Sequence, residues 1–312
     1  MDLALELAHI TGNSRPTFEK KCSYVMAADH GIVEEGVSAY PPSVTLAILK
    51  TILKGGAGIN TLARSAGADV FVADVGIHAS LDEKWLRPSM LKDRKIAFGT
   101  KNMLKENAMS EEQAQTSILQ GYALALECCE QYDIVGLGEL GIGNTTAATA
   151  IACAALGLDP MAVTGRGTGL DDEGLHHKAK VICEVLNKRQ PMAQDGLDIL
   201  MKVGGLEIGA MAGFILGCAK TKTPLLLDGL ISTSAAVIAD LICPLTRYYV
   251  IATHEGQEPA HHAMLEHLGK SPLFNLSLRL GEGTGAALAM PMVDSAQGLL
   301  CDMMTLDEAL SL

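Results

Sequence analysis

Short apolar runs that end in polar residues and glycine recur along the chain: SYVMAADHG, DVFVADVGI, DIVGLGELGIGN, TPLLLDGL, YYVIATHEG and LSLRLGEGTG. Runs of this length, rich in Val, Ile and Leu and bounded by turn residues, predict buried strands. Helical patterns lie between them. From Leu175 onward, Leu175, Ala179, Ile182 and Leu186 recur at helical spacing, with Asp171, Asp172 and Glu173 at the end where the helix dipole favours acids. AATAIACAALG predicts a helix capped by Asn144 or Thr145 and stopped by Gly157. PPSVTLAILKTILKGG predicts another, opened by proline and closed by glycine. Strands alternating with helices imply parallel βαβ units and an α/β fold. The opening helix around Leu3 to Ile10 and the tail lack the strand-turn pattern. Residues 20–293 are therefore expected to form the α/β domain, with 1–19 and 294–312 as elements of a small helical subdomain.

Composition agrees with this picture. Hydrophobic residues make up 48% and aromatics only 4%, with 32 glycines in 312 residues, which suits an aliphatic core joined by tight turns. The net charge of -12 argues against a nucleic-acid or anionic-membrane surface, since both need clustered Lys and Arg. A local anion site stays open, because backbone N–H groups at helix starts bind phosphate whatever the net charge. The eight cysteines show no C-x-x-C spacing, as expected of reduced, buried thiols in a cytoplasmic protein. No basic-then-apolar leader opens the chain, and its longest low-charge runs are too short and too interrupted to read as membrane spans.

In open parallel sheets, ligands bind outside the carboxyl ends of the strands. The polar clusters all fall there, so Asp29, His30, Asp74, Glu139, Asp228, His254 and Glu282 are candidates for one crevice. In GELGIGNTT the glycines and Asn144, Thr145 and Thr146 offer donors beside a helix start; the run reads as a phosphate site or as an ordinary capped turn. GRGTGLDDEGLHHK repeats the device, with Arg166 and Lys178 as phosphate partners, although Lys178 reads equally as a solvated helix residue. Adjacent histidines, at 176–177 and 261–262, diverge on a helix, so no metal site is expected from them. Glu282, inside LRLGEGTGA, is either a general base or a helix cap. No nucleophile motif appears, and two acids beside anion sites point to direct transfer without a covalent intermediate.

Taken in order, AADHG, SAYPPSVT, GELGIGNTT, KVGGLEIGAMAG, LDGLISTSAA and LRLGEGTGAALAMP resemble the nicotinate-nucleotide:dimethylbenzimidazole phosphoribosyltransferases of cobamide assembly. The resemblance spans roughly residues 23 to 300. It implies a Rossmann-like parallel sheet flanked by helices, with a small helical domain, in a homodimer that needs no cofactor. It implies phosphoribosyl transfer from nicotinate mononucleotide to a benzimidazole-type base, with inversion at C1' and Glu282 as general base. Glu139 would be the second acid. Gly141, Ile142, Gly143, Asn144 and Thr145 with Lys178 would hold the phosphate, and Gly167, Thr168 and Asp228 would line the nucleotide pocket. Tyr40, Pro41, Ile48, Leu140 and Leu280 would form the base pocket. Two departures are visible. The family usually begins with a longer region bearing a KPPGSLG-like loop, and some members carry a glutamine where this chain is apolar around Ile48. A nucleotide-binding partner subunit without activity, and a nucleotide hydrolase, are the competing readings.

Overall fold

The computed structural model describes residues 2–81, 85 and 90–312. Six strands form one parallel sheet: β1 (Lys21–Ala28), β2 (Ala68–Gly76), β3 (Leu91–Asp93), β4 (Ile134–Leu140), β5 (Leu225–Leu227) and β6 (Val250–Ala252). Their order is β3-β2-β1-β4-β5-β6. The helices of the described residues are α1 (Asp2–Thr11), α2 (Ser43–Leu53), α3 (Gly58–Ser65), α4 (Glu111–Cys129), α5 (Asn144–Leu156), α6 (Pro160–Val163) and α7 (Asp172–Arg189). They continue with α8 (Gly196–Val203), α9 (Leu206–Thr221), α10 (Leu230–Ile242), α11 (Pro259–Leu268), α12 (Thr284–Cys301) and α13 (Leu306–Leu310). The chain winds outward from β1 in one direction and then returns to its other side with β4. That reversal opens a crevice at the carboxyl ends of β1 and β4, the usual ligand site of a doubly wound sheet.

Alternate strand residues face opposite layers, as the pleat requires. Tyr24, Met26 and Ala28 of β1, with Val135 and Leu137 of β4, pack beneath α4, α5, α9 and α10. Val25 and Ala27 face α2 and α3. Ile134, Leu226 and Ile251 meet Ala4, Leu7 and Ile10 of α1 and Ala289, Met290 and Val293 of α12, so the two chain ends share one cluster on the sheet. Burial on both faces explains why these strands read as continuous apolar runs.

One expected strand is absent. LSLRLGEGTG has the alternation of a strand, yet it runs unpaired: Ser277 has φ +53, and Leu276 and Leu280 are 62% and 60% exposed. A left-handed residue turns the chain out of any ladder. The sixth strand is instead β3 at the opposite edge, whose three residues, LKD, are too few to carry a periodic signal. No described helix is long and apolar enough to cross a membrane.

Candidate active site

The crevice is built first from β4. This strand delivers Glu139 at its carboxyl end and passes through Gly141 to Gly143 into α5. Gly141 has no room for a side chain, since a Cβ there would lie 2.3 Å from the Ala28 carbonyl oxygen on β1. Gly143, at φ +98, is the cap of α5, and neither Asn144 nor Thr145 caps it as the sequence suggested. Their side chains serve the site instead. The Asn144 amide donates to Glu139, and the Thr145 hydroxyl accepts from Lys178 Nζ at 2.8 Å. Thr45 of α2 fixes the loop by accepting from the Ile142 N–H at 3.1 Å.

Glu282 approaches from the other side on a strained turn. Gly281, Glu282 and Gly283 have φ of +74°, +62° and +86°, so the acid itself sits in the left-handed region. Such a conformation costs a side-chain-bearing residue on the order of 1 kcal/mol and persists only where surroundings enforce it. Asp228, buried after β5, enforces it here: its two oxygens accept from the N–H groups of Gly283 and Gly285 at 3.0 and 2.7 Å. Asp228 therefore caps α12 and anchors the turn. Glu282 Oε2 accepts from the Ile59 N–H at 3.2 Å, with the Gly58 N–H also donating to the carboxylate. The acid thus caps α3, far away in sequence, and not the helix it precedes.

Gly138 completes this joint. A Cβ at Gly138 would lie 2.5 Å from both the Glu282 carbonyl oxygen and the Gly283 nitrogen, which are backbone atoms that cannot step aside. Gly138→Ala is expected to destabilise the fold by about 1–3 kcal/mol, as overpacking does, and to reduce turnover by displacing Glu282. Thermal unfolding read beside turnover checks this; an unchanged enzyme would dismiss the joint.

Burial and crowding shift the acids upward. Glu139 is pushed up to about 8, first by burial, then by the charge of Asp228, with Glu207 and Glu282 adding and the Asn144 bond opposing. Glu282 is also raised, by burial and Asp228, against the N–H groups of α3. For Glu139 the folded state holds a proton that the unfolded chain, titrating near 4.5, has released. Its contribution to stability is thus complete below about pH 4.5 and is lost as pH rises through about 8. Glu139→Gln should remove that loss and gain stability relative to the parent on the order of 3 kcal/mol between pH 5 and 8. Urea unfolding at both pH values measures it, and parallel profiles would refute it.

A second group lies at the start of α5. Lys178 of α7 is fully buried and not a solvated helix residue. Burial lowers it to about 8, while the charge of Glu258 pulls the other way. Glu258 Oε1 accepts from the Gly167 N–H at 2.8 Å, and its Oε2 is buried without a partner among the described residues. Thr145, Gly167, Lys178 and Glu258 therefore form a lined seat with a buried cation. Thr168 accepts from the Ala39 N–H at 3.1 Å and meets the Ser38 hydroxyl, tying this loop to the segment that carries Tyr40.

Of the remaining expected residues, Ile48 and Leu140 share one cluster. Leu280 reaches the start of α3 and fills the space beside Gly58 that a Cβ would take. Tyr40 and Pro41 are exposed. His254 lies 3.6 Å from Asp228, whereas Asp74 is occupied by Lys95 and the N–H groups of Gly76 and Ile77. His30 pairs with Glu207 at 2.5 Å, both buried, behind the Gly141–Gly143 loop. Glu258, Glu207, Thr45 and the α3 start were not legible in the sequence. Glu258 precedes a helix-opening proline, which marks a turn, but nothing local shows that it faces Gly167. Glu207 is hidden in an apolar run.

A doubly wound sheet whose switch point carries a glycine-built seat with a buried lysine, next to two perturbed carboxylates, defines an enzyme acting on a nucleotide or similar phosphate ester. Comparison with known proteins is specific. The phosphoribosyltransferase family model DBI_PRT matches residues 1–310, and the chain belongs to that family. It is 47% identical over 309 residues to the nicotinate-nucleotide–dimethylbenzimidazole phosphoribosyltransferase of Desulfotalea psychrophila, covering 99% of this chain and 87% of the relative. The protein of the same name from Geobacter metallireducens is 46% identical, with 99% and 86% covered. The crystal structure of CobT from Thermus thermophilus superposes with a TM-score of 0.93 at 41% identity, over 99% of this chain and 91% of that one. This chain is a phosphoribosyltransferase.

Proposed function

We propose that this enzyme moves the 5-phosphoribosyl group of nicotinate mononucleotide to 5,6-dimethylbenzimidazole or a similar base in cobamide biosynthesis, releasing nicotinate and α-ribazole 5'-phosphate. The observation that carries this reading is the pairing of the Lys178 seat with Glu282 held at the other side of the β4 end. Lys178, the Thr145 hydroxyl and the N–H groups of Gly143 and Thr145 take the 5'-phosphate, and the ribose extends toward Glu139 and Glu282.

The chemistry follows from the charges. The C1'–N bond to the pyridinium breaks and its electron pair stays on nitrogen, so nicotinate leaves without needing a proton. Positive charge grows on the ribose ring as it goes. The Glu282 carboxylate, crowded by Asp228 in the empty site, is well matched to that cation and to the pyridinium before it. One ring nitrogen of the base bonds to C1' from the opposite face, which turns the β-linkage into an α-linkage. The proton on its other ring nitrogen passes to Glu282. A raised Glu282 is a stronger base than a solvated glutamate, which suits it to take a proton. The rate should therefore fall as pH drops through a value above 4.5.

The apolar lining near Glu282, from Leu140, Ile48 and Leu280, suits a flat hydrophobic acceptor. The eight free cysteines fit a reducing compartment, and we place the enzyme in the cytoplasm, working as a homodimer. The decisive experiment mixes purified protein with nicotinate mononucleotide and dimethylbenzimidazole. An α-ribotide of the base, identified by mass with equimolar nicotinate, is the expected product. Nicotinate release at the same rate without any base would make the enzyme a hydrolase, and no release from folded protein would make it a binding subunit.

A further inference from the structure

Half of the cysteines gather away from the active site. Cys22 begins β1, Cys128 and Cys129 end α4, and Cys218 lies near the end of α9. Cys22 and Cys128 have their sulfurs 3.4 Å apart, and Cys129 and Cys218 have theirs 3.7 Å apart. Two adjacent residues thus engage different partners. Glycine makes this meeting of α4 and α9 close: a Cβ at Gly213 would lie 1.8 Å from the Ile118 carbonyl oxygen, and one at Gly217 would lie 2.4 Å from Ala125 Cβ.

The two pairs are not equivalent. Cys22 and Cys128 are both buried, whereas Cys129 is partly exposed beside buried Cys218. Cys129 alone in the cluster combines access with a partner thiol. The side chains of Thr221 and Thr223 also neighbour its sulfur, beside the Cys218 thiol. That arrangement favours a thiolate and offsets the carboxyl ends of α4 and α9, which disfavour negative charge. Cys129 is accordingly lowered to about 6, first through Cys218, while burial raises Cys218 well above its ordinary value.

We propose that Cys129 and Cys218 form a peroxide-reactive dithiol, in which Cys129 is oxidised by hydrogen peroxide and Cys218 closes the product to a disulfide. The Cys129 thiolate attacks one peroxide oxygen, the O–O bond breaks, and hydroxide leaves, giving a sulfenic acid. The Cys218 sulfur then bonds to that sulfur, and water departs with the Cys218 proton. Two thiols and one peroxide become one disulfide and two waters. The sulfurs must close to about 2.05 Å, which the position of Cys129 at the last turn of α4 permits.

Equimolar peroxide added to the intact protein, followed by alkylation and peptide mapping, tests this. The expected result is loss of two of the eight thiols, found as one Cys129–Cys218 linked peptide. Cys129 should react about tenfold or more faster than the partly exposed Cys183, Cys243 and Cys301, as a thiolate does over a thiol. In Cys218→Ala, dimedone should trap a sulfenic acid on Cys129. A Cys22–Cys128 link, oxidation beginning at Cys183, Cys243 or Cys301, or Cys129 reacting no faster than these would each overturn the proposal. The wild-type map decides even if the variant folds poorly.

Discussion

Glu282→Gln lowers kcat by about 10²- to 10⁴-fold, the usual worth of a general base, while nicotinate mononucleotide still binds. Glutamine keeps the shape and can still accept from the Ile59 and Gly58 N–H groups, so the turn and α3 remain capped. What it lacks is the basicity to take a ring proton from the acceptor. Quench-flow or steady-state measurement of nicotinate release, alongside equilibrium binding of the nucleotide, separates the two effects. Retained turnover would remove Glu282 from the proton-transfer role. The acid limb of the pH profile should vanish in the residual activity of this variant, since the group that titrates there is gone.

Lys178→Met raises KM for nicotinate mononucleotide by on the order of 100-fold or more, with a smaller effect on kcat. Truncating one partner of a buried charged pair costs about 2–5 kcal/mol, much of it from the charge left behind. Methionine fills the same buried space, so what is lost is the ammonium and its bond to Thr145. Two groups then go unmatched: the phosphate of the substrate and, in the free enzyme, the Glu258 carboxylate beside Gly167. In the parent enzyme nucleotide affinity is expected to weaken as pH rises past about 8, because the charge of this lysine is lost there. Substrate saturation curves from about pH 6 to 9 for both proteins, spanning that titration, check this, and a flat KM across parent and variant would move the phosphate elsewhere.

The legible part of the fold was the part whose signal is local. The strand runs at β1, β2, β4, β5 and β6 and helices α1, α2, α5 and α7 stood out because a buried strand or an amphipathic helix must repeat its apolar residues. The failure at LSLRL has the same origin. Alternation describes which side chains are apolar, but it cannot register that Ser277 turns left-handed, or that the segment runs past the strand ends instead of joining them. Conversely, β3 holds its place by pairing with β2, a contact its own three residues do not announce.

The site divides along the same line. Glycines at 141, 143, 281 and 283, with their flanking acids and threonines, marked turns of unusual backbone freedom, and those turns do converge at the β1 and β4 ends. The sequence alone determined where such turns stand and which chemical groups they carry, because glycine's conformational range and a side chain's functional group are properties of single residues. Tertiary structure decided what each group faces. It placed the Glu282 carboxylate on α3, gave Asp228 to the turn, buried Lys178 against Thr145, and set Glu258 against Gly167. Burial and long-range neighbours set the charge state and partner of an ionisable group, and both arise only when segments far apart in the chain pack together.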